Sequence, residues 1–168
     1  MKIVVNDANI LIDLVELELL PHFFALKFEF FTTTLILEEL LEEQKEQLEV
    51  YITEGVLIAE EMTSEDLEVI KDIEKQKPKL SQQDCSAYHQ ANTKEGTLIT
   101  SDNVLRKFAK STNLDVHGHL WVFDQMVAQN TLAPLTASQK LKNLCDVINT
   151  QLKLPKLECE KRHTLWND

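Results

Sequence analysis

The sequence contains few of the residues that interrupt regular structure, with only 3 Gly and 4 Pro in 168 residues. This composition excludes a collagen-like or low-complexity chain and is ordinary for a globular protein. No apolar run approaches the roughly 18 residues of a membrane-spanning helix. The first residues also lack the basic, apolar and cleavage regions of a secretion signal. We therefore expect a cytoplasmic protein without a membrane segment.

Cysteine is also scarce, and its spacing excludes the common cysteine-based scaffolds. The three cysteines are Cys85, Cys145 and Cys159, and no two of them form a C-x-x-C pair. An odd number of widely spaced cysteines is not a disulfide framework or a zinc ribbon. The sequence therefore predicts reduced thiols, with Cys85 as a small core residue of a helix.

Positive charge is the third shortage, because the chain has a net charge of −11. Residues 1–75 hold 19 Asp and Glu against 5 Lys, a balance of −14, and residues 76–168 hold 9 against 12 Lys and Arg, a balance of +3. Such a balance argues against broad non-specific adhesion to nucleic acid, which needs many cations on phosphates. The charge balance does not exclude a local basic surface formed by four residues, Lys94, Arg106, Lys107 and Lys110.

Short β-branched or aromatic runs alternate with helical patterns along the chain. The runs lie at 2–5, 28–31, 56–58, 97–100 and 114–117, and one long helix is predicted from Thr34 to Gly55. Pro21 is expected to break the first helix. This alternation predicts an α/β three-layer sandwich around a mostly parallel sheet of about five strands. We expect a single domain over residues 1–150, followed by a tail at 151–168 whose structure the pattern leaves open.

Acidic residues follow several of the predicted strands. Asp7, Glu39 and Asp102 come after three different strands, and Asp84 opens the helix before the strand that leads to Asp102. Each acid alone is explained as a helix cap or a first-turn acid. Together they are expected at one sheet edge, where their mutual repulsion requires a compensating cation. Mg²⁺ or Mn²⁺ is the simplest such cation, because both prefer carboxylate oxygens.

Four stretches resemble, in order, the motifs of the PIN-domain ribonucleases, including the VapC-type toxins. They are IVVNDANILIDL, TTTLILEEL, LSQQDCSAYHQA and LITSDNVL, within a resemblance that covers roughly residues 1–130. The resemblance places the metal ligands and catalytic acids at Asp7, Glu39, Asp84 and Asp102, and it selects Glu39 over Glu38. It also assigns supporting roles to Asn9, Thr100 and Asn103.

The resemblance implies a PIN-like fold and a Mg²⁺- or Mn²⁺-dependent endoribonuclease that hydrolyses RNA with an activated water. It further implies the toxin of a toxin–antitoxin pair, an antitoxin partner, and a possible homodimer. Two alternatives stay open from the residues. One is a catalytically weak PIN-like module whose acidic face docks a basic protein. The other is a metal-dependent phosphatase with Asp7 as nucleophile, which is weaker because Asn9 stands where that chemistry needs a second Asp.

Overall fold

The computed structural model describes residues 2–5 and 7–168 and consists of short strands that alternate with helices. The strands are β1 (Lys2–Val5), β2 (Glu29–Thr33), β3 (Leu57–Glu60), β4 (Thr97–Ile99) and β5 (Val116–His117). The helices are α1 (Ala8–Glu16), α2 (Leu20–Phe24), α3 (Thr34–Leu37), α4 (Glu42–Thr53), α5 (Ser64–Gln76), α6 (Gln82–Thr93), α7 (Asn103–Ser111), α8 (His119–Ala128), α9 (Pro134–Asn143) and α10 (Lys156–Trp166). A π-helical segment, Leu144–Ile148, follows α9. Within the described chain, we find no helix with the length and apolar character needed to cross a membrane.

The five strands form one parallel sheet in the order β3-β2-β1-β4-β5, which confirms the predicted α/β class. In this order β1 is central, with Ile3 aligned with Phe30 of β2 on one side and with Thr97 of β4 on the other. The chain builds the sheet outward from β1 to β3 and then crosses back to β4. Ligands of such sheets bind where the strand order reverses, at the carboxyl ends of the strands. Here that point lies between β1 and β4.

Aromatic residues from α2 and β2 form the centre of one side of the core. Phe23, Phe24 and Phe30 are each at most 7% exposed, and their ring centroids lie 4.8 to 5.1 Å apart. Phe30 also meets Phe28, at 6.4 Å in an edge-to-face arrangement. Tilted and edge-to-face pairs at these separations are the favourable geometry for aromatic rings. This cluster holds the first half of the sheet against its helices.

Two helix boundaries differ from the sequence prediction. The long helix predicted from Thr34 to Gly55 is instead two helices, α3 and α4, because Leu41 adopts an extended backbone with ψ of 155°. The Gln44 side chain accepts a hydrogen bond from the Leu41 N–H at 2.9 Å and so starts the second helix. The first helix ends before Pro21, as predicted, but already at Glu16, and Pro21 lies in the first turn of α2, where its missing N–H is harmless.

The tail that the sequence left unassigned packs onto the body of the protein. Trp166 at the end of α10 is only 6% exposed, and its ring lies 6.4 Å from that of Phe123. Arg162 donates two hydrogen bonds to the Asp124 carboxylate, at 2.8 and 2.6 Å. A two-pronged pair of this kind fixes orientation as well as distance. These contacts hold α10 against α8 and fix the course of the preceding segment.

Candidate functional site

A polar cleft of about 410 Å³ lies at the carboxyl ends of β1 and β4. Its wall includes all four acids that the sequence predicts to be ligands, namely Asp7, Glu39, Asp84 and Asp102. The other lining residues are Asn9, Ser81, Ser101, Asn149, Gln151 and Leu152. No Lys or Arg among the described residues takes part in this wall. The cleft is therefore an acidic site without a cation of its own within the part of the chain described; we call it the acidic cleft.

Asp7 is the most constrained of the four acids. It caps α1 by accepting a hydrogen bond from the Asn9 N–H at 2.9 Å, and it is only 8% exposed. Its other carboxylate oxygen accepts bonds from the Ser101 N–H at 2.9 Å and from the Ser101 hydroxyl. These donors come from the loop after β4, so one carboxylate joins the ends of both central strands.

Asp84 and Asp102 each combine a helix-capping role with a position in the cleft. Ser81 and Asp84 form a reciprocal capping box at the start of α6, at 3.1 and 3.2 Å. Asp102 caps α7 by accepting a hydrogen bond from the Leu105 N–H at 2.7 Å. A carboxylate has further oxygen lone pairs beyond those used in a cap. The capping explanation and the ligand explanation are thus compatible.

Burial and mutual repulsion raise the pKa of two of these carboxyl groups, Glu39 and Asp84. Partial burial raises the pKa of Glu39, and the charges of Asp84 and Asp7 raise it further. Burial also raises the pKa of Asp84, against the opposing effect of its Ser81 hydrogen bonds, and the charges of Asp102 and Asp7 add to the increase. The four acids therefore interact electrostatically across one cleft, which is the condition that a bound cation relieves.

The donor set fits a hard divalent cation that keeps part of its water shell. Across residues 2–5 and 7–168, no three His, Cys, Asp or Glu side chains stand close enough together to hold one ion between them. Mg²⁺ does not require such a cluster, because it is usually bound through one or two carboxylates, retained waters and substrate phosphates. Carboxylates spaced around a polar cleft match this mode. Their spacing does not match a site in which protein side chains alone complete the coordination of the ion.

The repulsion gives a direct test with Glu39. We expect Glu39→Gln to raise the melting temperature at pH 7 in EDTA, because it removes a charge that the neighbouring acids disfavour. The raised pKa of Glu39 means that the folded state binds protons more tightly than the unfolded chain, so this effect should shrink as the pH falls through that pKa. Differential scanning fluorimetry checks both statements. In Mn²⁺ the wild type should gain more stability than the variant, and an equal gain would contradict a role for Glu39 in ion binding.

The predicted supporting residues lie around the cleft in different ways. The Thr100 hydroxyl accepts a hydrogen bond from the Asp102 N–H at 3.0 Å and lies 3.4 Å from an Asp7 oxygen. Asn9 lines the acidic cleft, whereas Asn103 lines the neighbouring groove. Thr100 therefore links two of the four acids directly. Ser101, which is not among the predicted site residues, supplies the stronger contact to Asp7.

A groove of about 510 Å³ adjoins the acidic cleft and carries the opposite charge. Its cationic lining residues are Arg106, Lys107, Lys110 and Lys153. The two cavities share Ser101, Gln151 and Leu152 as a common wall. Lys94 lies elsewhere, in an ion pair with Glu60 at 3.1 Å and over the Phe31 ring. Three of the four predicted basic residues are thus brought together, with Lys153 as an addition; we call this cavity the basic groove.

Gly118 allows Arg106 to lie close to the end of β5. A Cβ at this position would come within 2.8 Å of an Arg106 guanidinium nitrogen and 3.3 Å of the Thr100 carbonyl oxygen. Contacts below 3.0 Å force a neighbour to move, and here Arg106 would be displaced. The glycine before α8 therefore helps to set the position of a groove cation.

The segment 149–155, which we call the strap, contributes to both cavities and was not predicted. Asn149 and Gln151 line the acidic cleft, and Gln151 continues into the basic groove with the residues up to Pro155. The Asn149 side chain donates to the Asp13 carboxylate at 3.0 Å. Asp13 also pairs with the buried His119 at 2.8 Å. No sequence signal indicates these contacts, because they join residues more than 100 positions apart.

A comparison with models of known protein families agrees with the fold. The sequence model of a family described as a PIN domain matches residues 3–154, which include both cavities except for Pro155. A comparison with curated proteins gives no match. PIN domains are generally nucleases, so the match indicates a nuclease-type function, a nucleic-acid substrate and the usual divalent metal. The chain belongs to the PIN-domain family.

Proposed function

We propose that the chain is a Mg²⁺- or Mn²⁺-dependent endoribonuclease that hydrolyses RNA phosphodiesters with an activated water. The observation that carries the proposal is the acidic cleft, in which four carboxylates from separate parts of the chain face one space. Family membership supports the nuclease class. The test is RNA cleavage by the wild type and by Asp102→Asn, with and without EDTA.

Asp7, Glu39, Asp84 and Asp102 are the residues that would hold the metal, some directly and the others through waters that the ion retains. When bound, the ion supplies positive charge that lowers the pKa of a coordinated water and offsets charge on the phosphate. Asp7 is held by Ser101 and by the start of α1, so its carboxylate keeps a fixed orientation. Asp102 is oriented by the first turn of α7. Fixed carboxylates lower the reorganisation needed when charge develops at the substrate.

The basic groove is the proposed path for the RNA backbone. Lys and Arg neutralise phosphates, and the groove begins at the wall that it shares with the acidic cleft. A strand lying there would present one phosphodiester to the acids while its neighbours meet the cations. The net charge of −11 argues against broad adhesion to nucleic acid, but a strand in the groove needs only the cations that line it.

The groove is tested by removing its three exposed lysines. We expect Lys107→Gln/Lys110→Gln/Lys153→Gln to weaken binding of a single-stranded RNA by about tenfold or more. Each lost phosphate contact lowers the slope of log affinity against log salt by about 0.7, so the triple change should lower it by about 2. Fluorescence anisotropy in EDTA measures binding without cleavage.

A matched control uses three exposed lysines that do not line the groove, Lys71, Lys75 and Lys79. Their triple change to Gln alters the net charge equally and should leave most of the affinity and the salt slope in place. Equal losses in the two variants would mean that only overall charge matters. In that case the groove would not be the RNA path.

The motif resemblance extends the proposal to the toxin of a toxin–antitoxin pair, with a protein antitoxin and a possible homodimer. The acidic surface of α4 and α5 supports the alternative of a binding module for a basic protein, through charge complementarity. Cleavage distinguishes the two. An inactive protein that copurifies with a basic partner would favour the binding module.

A further inference from the structure

Two cysteines line one pocket beside the strap. Cys145 lies in the π-helical segment and Cys159 lies in α10, and both line a surface pocket of about 260 Å³. Each thiol also influences the pKa of the other. Leu152 and Leu154 of the strap line the same pocket. The two cysteines therefore share one pocket although they are 14 positions apart in sequence.

We propose that Cys145 and Cys159 form a reversible intramolecular disulfide that restrains the strap. The bond would join the element before the strap to the helix after it, so the strap would lie inside a closed loop. Cross-linking a loop lowers the conformational freedom of the chain between its ends. The sequence analysis predicted reduced thiols at all three positions, and the pairing of these two is visible only in the folded chain.

The strap gives this bond a route to the functional site. Asn149 and Gln151 belong to the wall of the acidic cleft, and Lys153 belongs to that of the basic groove. A disulfide beside the strap would therefore restrain residues in both cavities. Its effect on RNA binding rests on the proposed function, whereas its formation does not.

The reaction is thiol–disulfide exchange with a small-molecule disulfide such as oxidised glutathione. The Cys159 thiolate attacks one sulfur of the oxidant and releases one reduced glutathione, which leaves a mixed disulfide. Cys145 then loses its proton, attacks the Cys159 sulfur and releases the second glutathione. Two protein thiols are oxidised, one glutathione disulfide is reduced to two thiols, and each leaving thiolate takes up one proton.

The surroundings favour Cys159 as the first nucleophile. Burial raises the pKa of Cys159, but Arg162 and the neighbouring Cys145 thiol act in the opposite direction. Burial raises the pKa of Cys145 to about 11, and the neighbouring Cys159 raises it as well. Both thiols are partly exposed, whereas Cys85 is fully buried and burial raises its pKa to about 12. Oxidation of Cys145 and Cys159 should therefore be slow at neutral pH and faster at pH 9, and Cys85 should stay reduced.

The test is oxidation of the folded full-length protein with graded ratios of oxidised to reduced glutathione at pH 9. Peptide mass spectrometry without reduction should show a Cys145–Cys159 cross-link, with Cys85 unmodified. Cys145→Ser should abolish the cross-link and leave a glutathione adduct on Cys159. Links that involve Cys85, dimers between chains, or adducts on both cysteines without a cross-link would each overturn the proposal.

Two further readouts separate this proposal from the proposed function. The oxidised wild type should melt about 5 °C or more above the reduced protein, and Cys145→Ser should show no such difference. Circular dichroism confirms that the variant is folded. If the protein forms the cross-link but its RNA binding is unchanged, the disulfide is confirmed and its proposed effect on the site is wrong. A protein that neither binds nor cleaves RNA but forms the cross-link would overturn only the proposed function.

Discussion

Asp102→Asn should lower RNA cleavage by about 100-fold or more while leaving the fold unchanged. Changes to residues that only support metal ligands typically cost about 10- to 100-fold in affinity or activity, so loss of a direct ligand should cost at least as much. Asn caps helices about as well as Asp, so the hydrogen bond to the Leu105 N–H can be kept. The charge of Asp102 also raises the pKa of Asp84, so its removal should relieve repulsion.

Asp102→Asn tests the catalytic role more cleanly than Asp7→Asn does. Asp7 accepts hydrogen bonds at both carboxylate oxygens, and an Asn amide would direct N–H groups at Ser101 or Asn9 donors. Such a change mixes a folding effect with a catalytic one. Cleavage of a labelled RNA pool in Mn²⁺, together with Mn²⁺ titration by calorimetry, gives both readouts for Asp102→Asn.

Asp72→Asn is the matched control, because it removes the same charge from an exposed position on α5. It should retain cleavage and metal binding at wild-type levels. If Asp102→Asn were as active as this control, Asp102 would be a helix cap alone. The proposed metal set would then be wrong.

Phe30→Ala should destabilise the protein by about 3 to 5 kcal/mol, which is the usual cost of deleting a buried Phe side chain. Phe30 is 1% exposed and contacts the rings of Phe23, Phe24 and Phe28. Its removal leaves a cavity beneath β2, the strand that precedes α3 and Glu39. Urea unfolding followed by circular dichroism measures the change in the free energy of unfolding.

Leu135→Ala provides the comparison, since Leu135 is 55% exposed in the first turn of α9. It should change the free energy of unfolding by less than about 0.5 kcal/mol, as exposed substitutions usually do. A loss at Phe30 no larger than that at Leu135 would mean that the aromatic cluster does not hold the sheet. The packing described for α2 and β2 would then be incorrect.

Local sequence signals predicted the order of strands and helices along much of the chain. Asp84 and Asp102 each lie at the start of a helix, as capping chemistry indicates. These signals work because a cap involves residues within three positions of one another. The break between α3 and α4 was missed, because the apolar spacing continues across it while the backbone turns at Leu41.

The sequence by itself determined the α/β class, the motif resemblance and the acids expected at one sheet edge. Only the tertiary structure decided how these residues are held and what else reaches them. In the folded chain the Ser101 N–H donates a hydrogen bond to Asp7, and the strap lines both cavities. Lys153 lies in the basic groove, whereas Lys94 pairs with Glu60. Caps and strand patterns are local and leave a periodic trace in the sequence. Contacts between distant segments leave none, because they depend on how the helices pack once the sheet has formed.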